Sequence, residues 1–294
     1  MVMPSLSRWS VWLLEPMMMS RSCGWLLFLL ITLSGGRSVL SDEPGQLDLL
    51  NTFQSEFVVI APGTEKFPAT FVCGSNDGGP EVRPATSVTM STPFAIAKYE
   101  VPQNLYETVM GTNPSRWKGQ RNSVELLTVT EAKQFCERAT QLMQAAKLLA
   151  DDEVIRLPTE VEWEYCCRAG TSTKYSFGDA IRRDSDVGAK NSILDEYAWY
   201  TGNAAGNNPP VGALKPNAWG LYDMHGYLWE FTDDAWTLSH APESSSDKQQ
   251  VTLKSGSWKD PAERLTSSAR RGFPVSGKDD AVGFRCVRAK RQGF

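Results

Sequence analysis

Beyond Gly170 the chain loses regular hydrophobic periodicity and becomes a succession of Gly, Asn, Pro and aromatic residues with few long apolar runs. Seven of its ten tryptophans lie between Trp117 and Trp258, largely within this aperiodic half. A long irregular segment can fold only if its loops are pinned, and indole rings do this by burying a large area while satisfying one polar edge. This half is therefore expected to be loop-rich and fixed by aromatic anchors, with strands returning only at Val251 to Lys254 and Val282 to Arg288. No repeat of solenoid or propeller period accompanies it.

The first half is more regular. Thr128-x-x-Glu131 is a capping box opening a run with Ala132, Phe135, Cys136, Ala139, Leu142, Met143 and Ala146 at helical spacing. Thr159-x-x-Glu162 repeats the device for a helix from Glu160 to about Arg168, which follows Pro158 and stops at Gly170. A shorter helix spans Gln103 to Met110 and ends at Gly111. Glu56 to Ile60, Thr86 to Met90 and Pro93 to Glu100 read as strands, and Gly74 to Pro80 as a solvated turn-rich loop. The fold class is α+β, with short strands and two main helices. Residues 42–55 are polar and are expected to be a linker, so the domain spans 56–290.

At the N-terminus Arg8 and Arg21 precede an apolar run from Trp25 to Leu33, followed by small and polar residues to Ser41. This layout predicts a signal peptide over residues 1–41 and a secreted or periplasmic protein. The run is shorter than the roughly 20 apolar residues of a membrane-spanning helix, so no stable span is expected in the mature form. The leader carries a net +2, and its removal takes the formal charge from −4 to about −6, which leaves no basic footprint for nucleic acid. Five cysteines then remain, Cys73, Cys136, Cys166, Cys167 and Cys286, enough for two disulfides and one thiol whose pairing the count leaves open. Adjacent Cys166 and Cys167 are poorly placed to bridge each other.

Several enzyme classes drop out by inventory. The two histidines, His225 and His240, sit in no nucleophile motif, and His225 in Asp223-Met224-His225-Gly226 reads as a structural histidine bonded to backbone. Paired CxxC and HExxH zinc sites, the phosphate loop and the dinucleotide fingerprint are absent. One acidic cluster stands out: Asp223, Glu230, Asp233 and Asp234 around Gly226. Carboxylates and backbone carbonyls of such a turn suit a hard cation such as calcium, whereas the plainer alternative has the acids paired with bases or facing water.

Five blocks in order carry a family likeness: Gly111-Thr112-Asn113-Pro114-Ser115-Arg116-Trp117-Lys118-Gly119; Arg156-Leu157-Pro158-Thr159-Glu160-Val161-Glu162-Trp163-Glu164-Tyr165; Asn217-Ala218-Trp219-Gly220-Leu221-Tyr222-Asp223-Met224-His225-Gly226; Ser255-Gly256-Ser257-Trp258; and Gly283-Phe284-Arg285. Together the series resembles the formylglycine-generating-enzyme (sulfatase-modifying factor) domain family over roughly residues 56 to 288. The resemblance implies a variant C-type-lectin-like fold. It also implies a reaction, oxidation of a sulfatase cysteine to formylglycine with dioxygen and a copper(I) ion held by two cysteines after the Gly-Ser motif. Thiolates are the soft ligands copper(I) selects. Here Asp260 and Leu265 stand where counting from Ser257 puts those cysteines, and no cysteine occurs before Cys286. Copper is not expected, and no catalytic residue is assigned. The ergothioneine-type sulfoxide synthases, which resemble this domain but add a three-histidine iron site, are excluded by a count of two histidines.

The resemblance further implies a disulfide matching Cys136 and Cys286, with Cys167 free or paired with Cys73. It implies a calcium site matching the Asp223 side chain, the Gly226 and Leu228 carbonyls and the Glu230 side chain; Tyr227-Leu228-Trp229 departs from the family's usual residues there. The leading expectation is an exported, non-catalytic binding or interaction module for a protein or peptide, whose groove near Trp229, Ser257, Trp258 and Arg270 is the remnant of the substrate cleft. The plainer alternative makes Ser257 and Trp258 core and turn residues and puts Arg270 in a structural ion pair. Two rivals are a genuine sulfatase-maturing oxidase and a regulatory partner of a sulfatase or of a true family enzyme.

Overall fold

The computed structural model describes residues 45–240 and 246–291, so the expected signal peptide lies outside the described residues. In chain order the elements are α1 (Gln46–Ser55), β1 (Phe57–Ile60), β2 (Thr70–Cys73), β3 (Thr86–Thr89), β4 (Phe94–Ala97), α2 (Gln103–Met110), α3 (Val129–Ala145), β5 (Glu153–Arg156), α4 (Glu160–Arg168), β6 (Trp229–Thr237), β7 (Ser246–Lys254), β8 (Arg270–Pro274), β9 (Val282–Gly283) and β10 (Val287–Lys290). No described helix is long and apolar enough to cross a membrane.

Both capping boxes form as the sequence implies. The Thr128 hydroxyl accepts the Glu131 N–H at 3.2 Å while the Glu131 carboxylate accepts the Thr128 N–H at 2.7 Å, which satisfies two donors that a helix start would leave open. Thr159 and Glu162 do the same for α4, and Glu162 also takes Arg156 in a two-pronged ion pair at 2.7 Å. The α2 helix ends on Gly111 at φ 78°, a left-handed position that glycine accepts without a Cβ clash.

Three packed groups of elements follow. One antiparallel sheet has the order β1-β4-β10-β5, a second sheet has the order β8-β7-β6-β9 with β6 and β9 parallel, and β2 and β3 form a separate hairpin. Helices α2 and α3 pack with α1 around Phe135, Tyr106 and Phe284, whose rings stack and meet edge to face at 5.3 to 6.4 Å. The α4 helix buries Trp163, Tyr165, Cys166 and Cys167 against Trp219 and Met224.

The structure departs from the sequence expectation at several elements. Residues 46–55 are a helix and not a linker, because Leu50 and Phe53, separated by one turn, are 2% and 3% exposed in the main core. Strands β2, β5 and β8 were not expected. The nine-residue β6 was hidden by its acids, and the fold spends each of them: Glu230 on Arg285, Asp234 on the N–H of Glu160 at 2.6 Å, and Asp233 on Lys133 at 2.6 Å. The expected strand over Val282 to Arg288 is broken in two at Arg285, whose guanidinium leaves the sheet edge to bind Glu230 and the carbonyls of Ala97, Lys98 and Tyr222.

Candidate functional site

The segment that follows β7 makes a sharp turn. Ser255 and Gly256 both have positive φ, 96° and 106°, and a Cβ on Gly256 would meet the Arg264 carbonyl at 2.9 Å and the Leu265 side chain at 2.3 Å. Only glycine passes there. The turn brings Ser257 over Asp260, whose Oδ2 accepts three hydrogen bonds: from the Ser257 N–H at 3.1 Å, the Ser257 hydroxyl at 2.5 Å and the Trp229 indole N–H at 2.8 Å. Leu265 is fully buried in a satellite core with Tyr175, Leu194, Ala198, Tyr200 and Ala262. Its carbonyl receives His225 Nδ1 at 2.9 Å, and His225 Nε2 accepts the Ser176 N–H at 3.0 Å. Burial lowers the His225 pKa to about 4, so the imidazole is a neutral structural brace, as its sequence setting suggested.

Beside this turn lies a cavity of about 580 Å³, within the range of small-molecule sites. Its walls include Trp117, Trp199, Tyr227 and Trp258, with Leu228 and the Ala204 to Pro209 loop, and Ser123, Glu125, Lys259 and Asp280 contribute polar groups. Tyr227 holds a left-handed backbone at φ 75°, unusual for an aromatic residue, and its hydroxyl donates to the Pro209 carbonyl at 2.8 Å and accepts the Ser123 N–H at 3.2 Å. Lys259 sits 5.2 Å from the centre of the Trp258 ring and is tied to Asp279 at 2.8 Å and to Asp280. Asp280 also takes Arg116 at 2.8 Å.

Of the four residues expected in the groove, only Trp258 lines this cavity. Trp229 and Ser257 are 2% and 1% exposed and lie joined through Asp260. Arg270 is elsewhere. It is buried in an ionic network, where its guanidinium binds Glu160 and Thr237 and lies 4.5 Å from the centre of the Trp236 ring, so its role is the structural ion pair that was the plainer alternative. The cavity residues that sequence reading missed are Ser123, Glu125, Trp199 and Tyr227. A signal existed for two of them: Ser123 and Glu125 alternate with the fully buried Val124 in an extended segment, which turns them to the face opposite the core.

The arrangement of elements and the turn after β7 can be set against known proteins. A family model described as the sulfatase-modifying factor enzyme 1-like domain matches residues 50–290. The chain belongs to that family. Chaperone protein LppX of Paenibacillus barcinonensis is 28% identical over 90% of this chain and 99% of its own. The formylglycine-generating enzyme of Bos taurus is 33% identical over 45% of this chain and 38% of the bovine protein. Among solved structures, Treponema denticola variable protein 1 superimposes with a TM-score of 0.65 at 24% identity, covering 80% of this chain and 95% of that one, which is a likeness of fold.

Within a sulfatase-modifying factor domain, the turn after Ser257 is where copper(I) would sit, and its residues here do not fit that ion. Asp260 offers a hard oxygen already taken by three donors, and Leu265 offers no donor atom. The expected disulfide partners do meet: the sulfurs of Cys136 on α3 and Cys286 lie 3.9 Å apart, both buried and both thiols in this structure. Cys167 faces the Met224 carbonyl at 3.4 Å and His225, whereas Cys73 lies beside Glu164 and His240.

Of the expected calcium ligands, Asp223, Gly226 and Leu228 lie on the turn that leads into β6, and Glu230 is the second residue of that strand. Asp223, at φ 58°, accepts the Gly212 N–H at 2.7 Å, and burial raises its pKa to about 6. Glu230 Oε2 accepts from Trp163 at 2.8 Å and Arg285 at 2.7 Å, and Oε1 accepts from Arg285 at 2.7 Å, which leaves one lone pair of Glu230 open. Close by, Glu100 is wholly buried with neither carboxylate oxygen hydrogen-bonded, and burial, with Asp223 and Glu230 adding to it, pushes its pKa well up. Three carboxylates thus share one guanidinium, a balance that a divalent cation or added protons would complete. Among the described residues Cys73, Glu164 and His240 also bring donors within 4.8 Å of one another, but Glu164 is spent on Lys254, Arg168 and the Gly74 N–H, and the surrounding cations oppose a metal ion.

Proposed function

We propose that this sulfatase-modifying factor domain is an exported, non-catalytic binding module that holds its ligand in the aromatic cavity beside the Ser255 to Leu265 turn, in service of a protein or peptide partner. The observation that carries the reading is the turn itself. The positions that would supply copper thiolates are occupied by an aspartate locked under Trp229 and by a core leucine, while the cavity next to them keeps an open, aromatic interior. The name chaperone carried by the Paenibacillus barcinonensis relative, which corresponds over nearly the whole length of both chains, agrees with binding in preference to oxidation. The basic and apolar layout of residues 1–41 supports export.

The reading is tested by incubating the purified protein with copper(I), dioxygen and a cysteine peptide bearing a sulfatase motif. The expected result is an unchanged peptide mass; conversion of the cysteine to the aldehyde would overturn it. Co-purification from the native host is expected to bring down a partner protein, with a sulfatase or a catalytically intact family member as the candidates. The reading keeps a structural calcium ion at Asp223, the Gly226 and Leu228 carbonyls and Glu230, supported by the excess of Glu100, Asp223 and Glu230 over Arg285. Calcium is expected to raise the melting temperature and a chelator to lower it. A melting temperature indifferent to both removes the ion.

A further inference from the structure

Three buried polar groups in the wall of the aromatic cavity have no hydrogen-bond partner within the protein: Glu125 Oε2, Ser123 Oγ and the Trp199 indole Nε1. Buried polar atoms are ordinarily paired, so three such exceptions in the lining of one cavity point to a ligand that pairs them. Glu125 decides what kind. The residue is 3% exposed, and its other oxygen accepts the N–H groups of Arg116 at 2.6 Å and Trp117 at 2.9 Å. No ion pair among the described residues reaches it. The nearby cations are already committed, Arg116 and Lys259 to Asp280 and Lys259 also to Asp279. The open charge in the cavity wall is therefore negative, and Trp117, Trp199, Tyr227 and Trp258 line the same cavity.

Resting on the binding reading above, we propose that the cavity recognises an alkylammonium group, a positively charged amine on an apolar stem. A carboxylate without a counter-ion inside an aromatic enclosure is the chemistry that recognises ammonium heads, because the ring quadrupoles attract the cation and the carboxylate neutralises it. The hydroxyl of Ser123 accepts a second N–H, and the Trp199 N–H remains for an acceptor elsewhere on the ligand. An anion meets no free cation. A sugar would draw on the amides at the rim, and these already donate within the protein: Asn122 to Asn208, Asn208 to the Lys118 carbonyl, and Asn207 to the Asn203 carbonyl. Burial already raises the Glu125 pKa, which an arriving cation would reverse.

The test is a fluorescence titration of the full mature chain, since tryptophans line the cavity, with four probes: n-pentylamine, the peptide acetyl-Ala-Lys-Ala-amide, 1-pentanol and glucose. Saturable binding of an amine probe is expected, at least tenfold tighter than 1-pentanol. Whichever amine probe is tighter identifies the source as a free amine or a lysine side chain. Glu125→Gln is expected to erase the preference for amine over alcohol. Should that variant melt early, Trp117→Ala, at a side chain 48% exposed, is expected to weaken the amine more than the alcohol. Equal binding of alcohol and amine, a preference for glucose, or no amine binding overturns the inference. Alcohol or glucose binding would overturn this inference and leave the binding-module reading standing, whereas peptide oxidation would sink that reading and with it the footing of this one, and the two experiments report separately.

Discussion

At the residue scale the fold is governed by where buried charges find partners. Glu164 is wholly buried beneath Lys254 and Arg168; burial alone would push its pKa up, but these two cations and the Gly74 N–H hold it at about 2. Because its folded pKa lies below the unfolded value near 4.5, its stabilisation is fully present above that value and is lost as pH falls from about 4.5 towards 2. Glu164→Gln is expected to cost about 3 to 5 kcal/mol at neutral pH by leaving Lys254 and Arg168 without a counter-charge. Urea midpoints measured against pH check this: the gap between wild type and variant should narrow steadily below pH 4.5. A gap independent of pH would mean that the network is not what holds Glu164 ionised. Of these partners only Arg168, one helical turn further along α4, could be read locally, since Lys254 and Gly74 each lie 90 residues from Glu164 in the chain.

At the element scale the helices were legible and the strands only in part. A helix start announces itself within four residues, as Thr128 to Glu131 and Thr159 to Glu162 show, because capping is a local bargain between neighbouring side chains and backbone. The β6 strand has no such signature, and its acids are tolerated only because Arg285 and the start of α4 receive them. The α1 helix escaped notice for the same reason, since its two core residues mark it only once their pocket exists. Helix α3 also carries Cys136 to Cys286, 150 residues distant. Mild oxidation of the folded protein is expected to join this pair and raise stability by on the order of 4 kcal/mol through the long loop it closes. Peptide mapping and the melting temperature report it, and a map showing Cys136 still a thiol after oxidation would count against the pairing.

At the scale of the whole molecule, the last strand completes the first sheet. The β10 strand lies between β4 and β5, pairing Val287 with both Ile96 and Arg156, so the chain cannot finish this sheet until its final residues are in place. Truncation after Cys286 is expected to leave two strand edges open and to strip Val287 and Ala289 from the core cluster they share with Ile60, Phe94 and Ile96, and so to abolish the cooperative thermal transition. A truncated chain with an unchanged melting temperature would show that β10 merely decorates the fold. The same distribution explains the cavity, whose walls come from residues between Trp117 and Asp280 on segments that touch only after folding. By itself the sequence determined the family blocks, the capped helices, the aromatic-pinned second half and the absence of cysteine between Ser257 and Cys286, because each is a property of residue type or short-range spacing. Only the tertiary structure decided that Arg270 belongs to an ion network, that Asp260 ties Ser257 to Trp229, and that Glu125 is buried in the wall of an aromatic cavity without an ion pair. Burial and charge pairing are relations between distant residues, and they acquire values only when the chain has closed on itself.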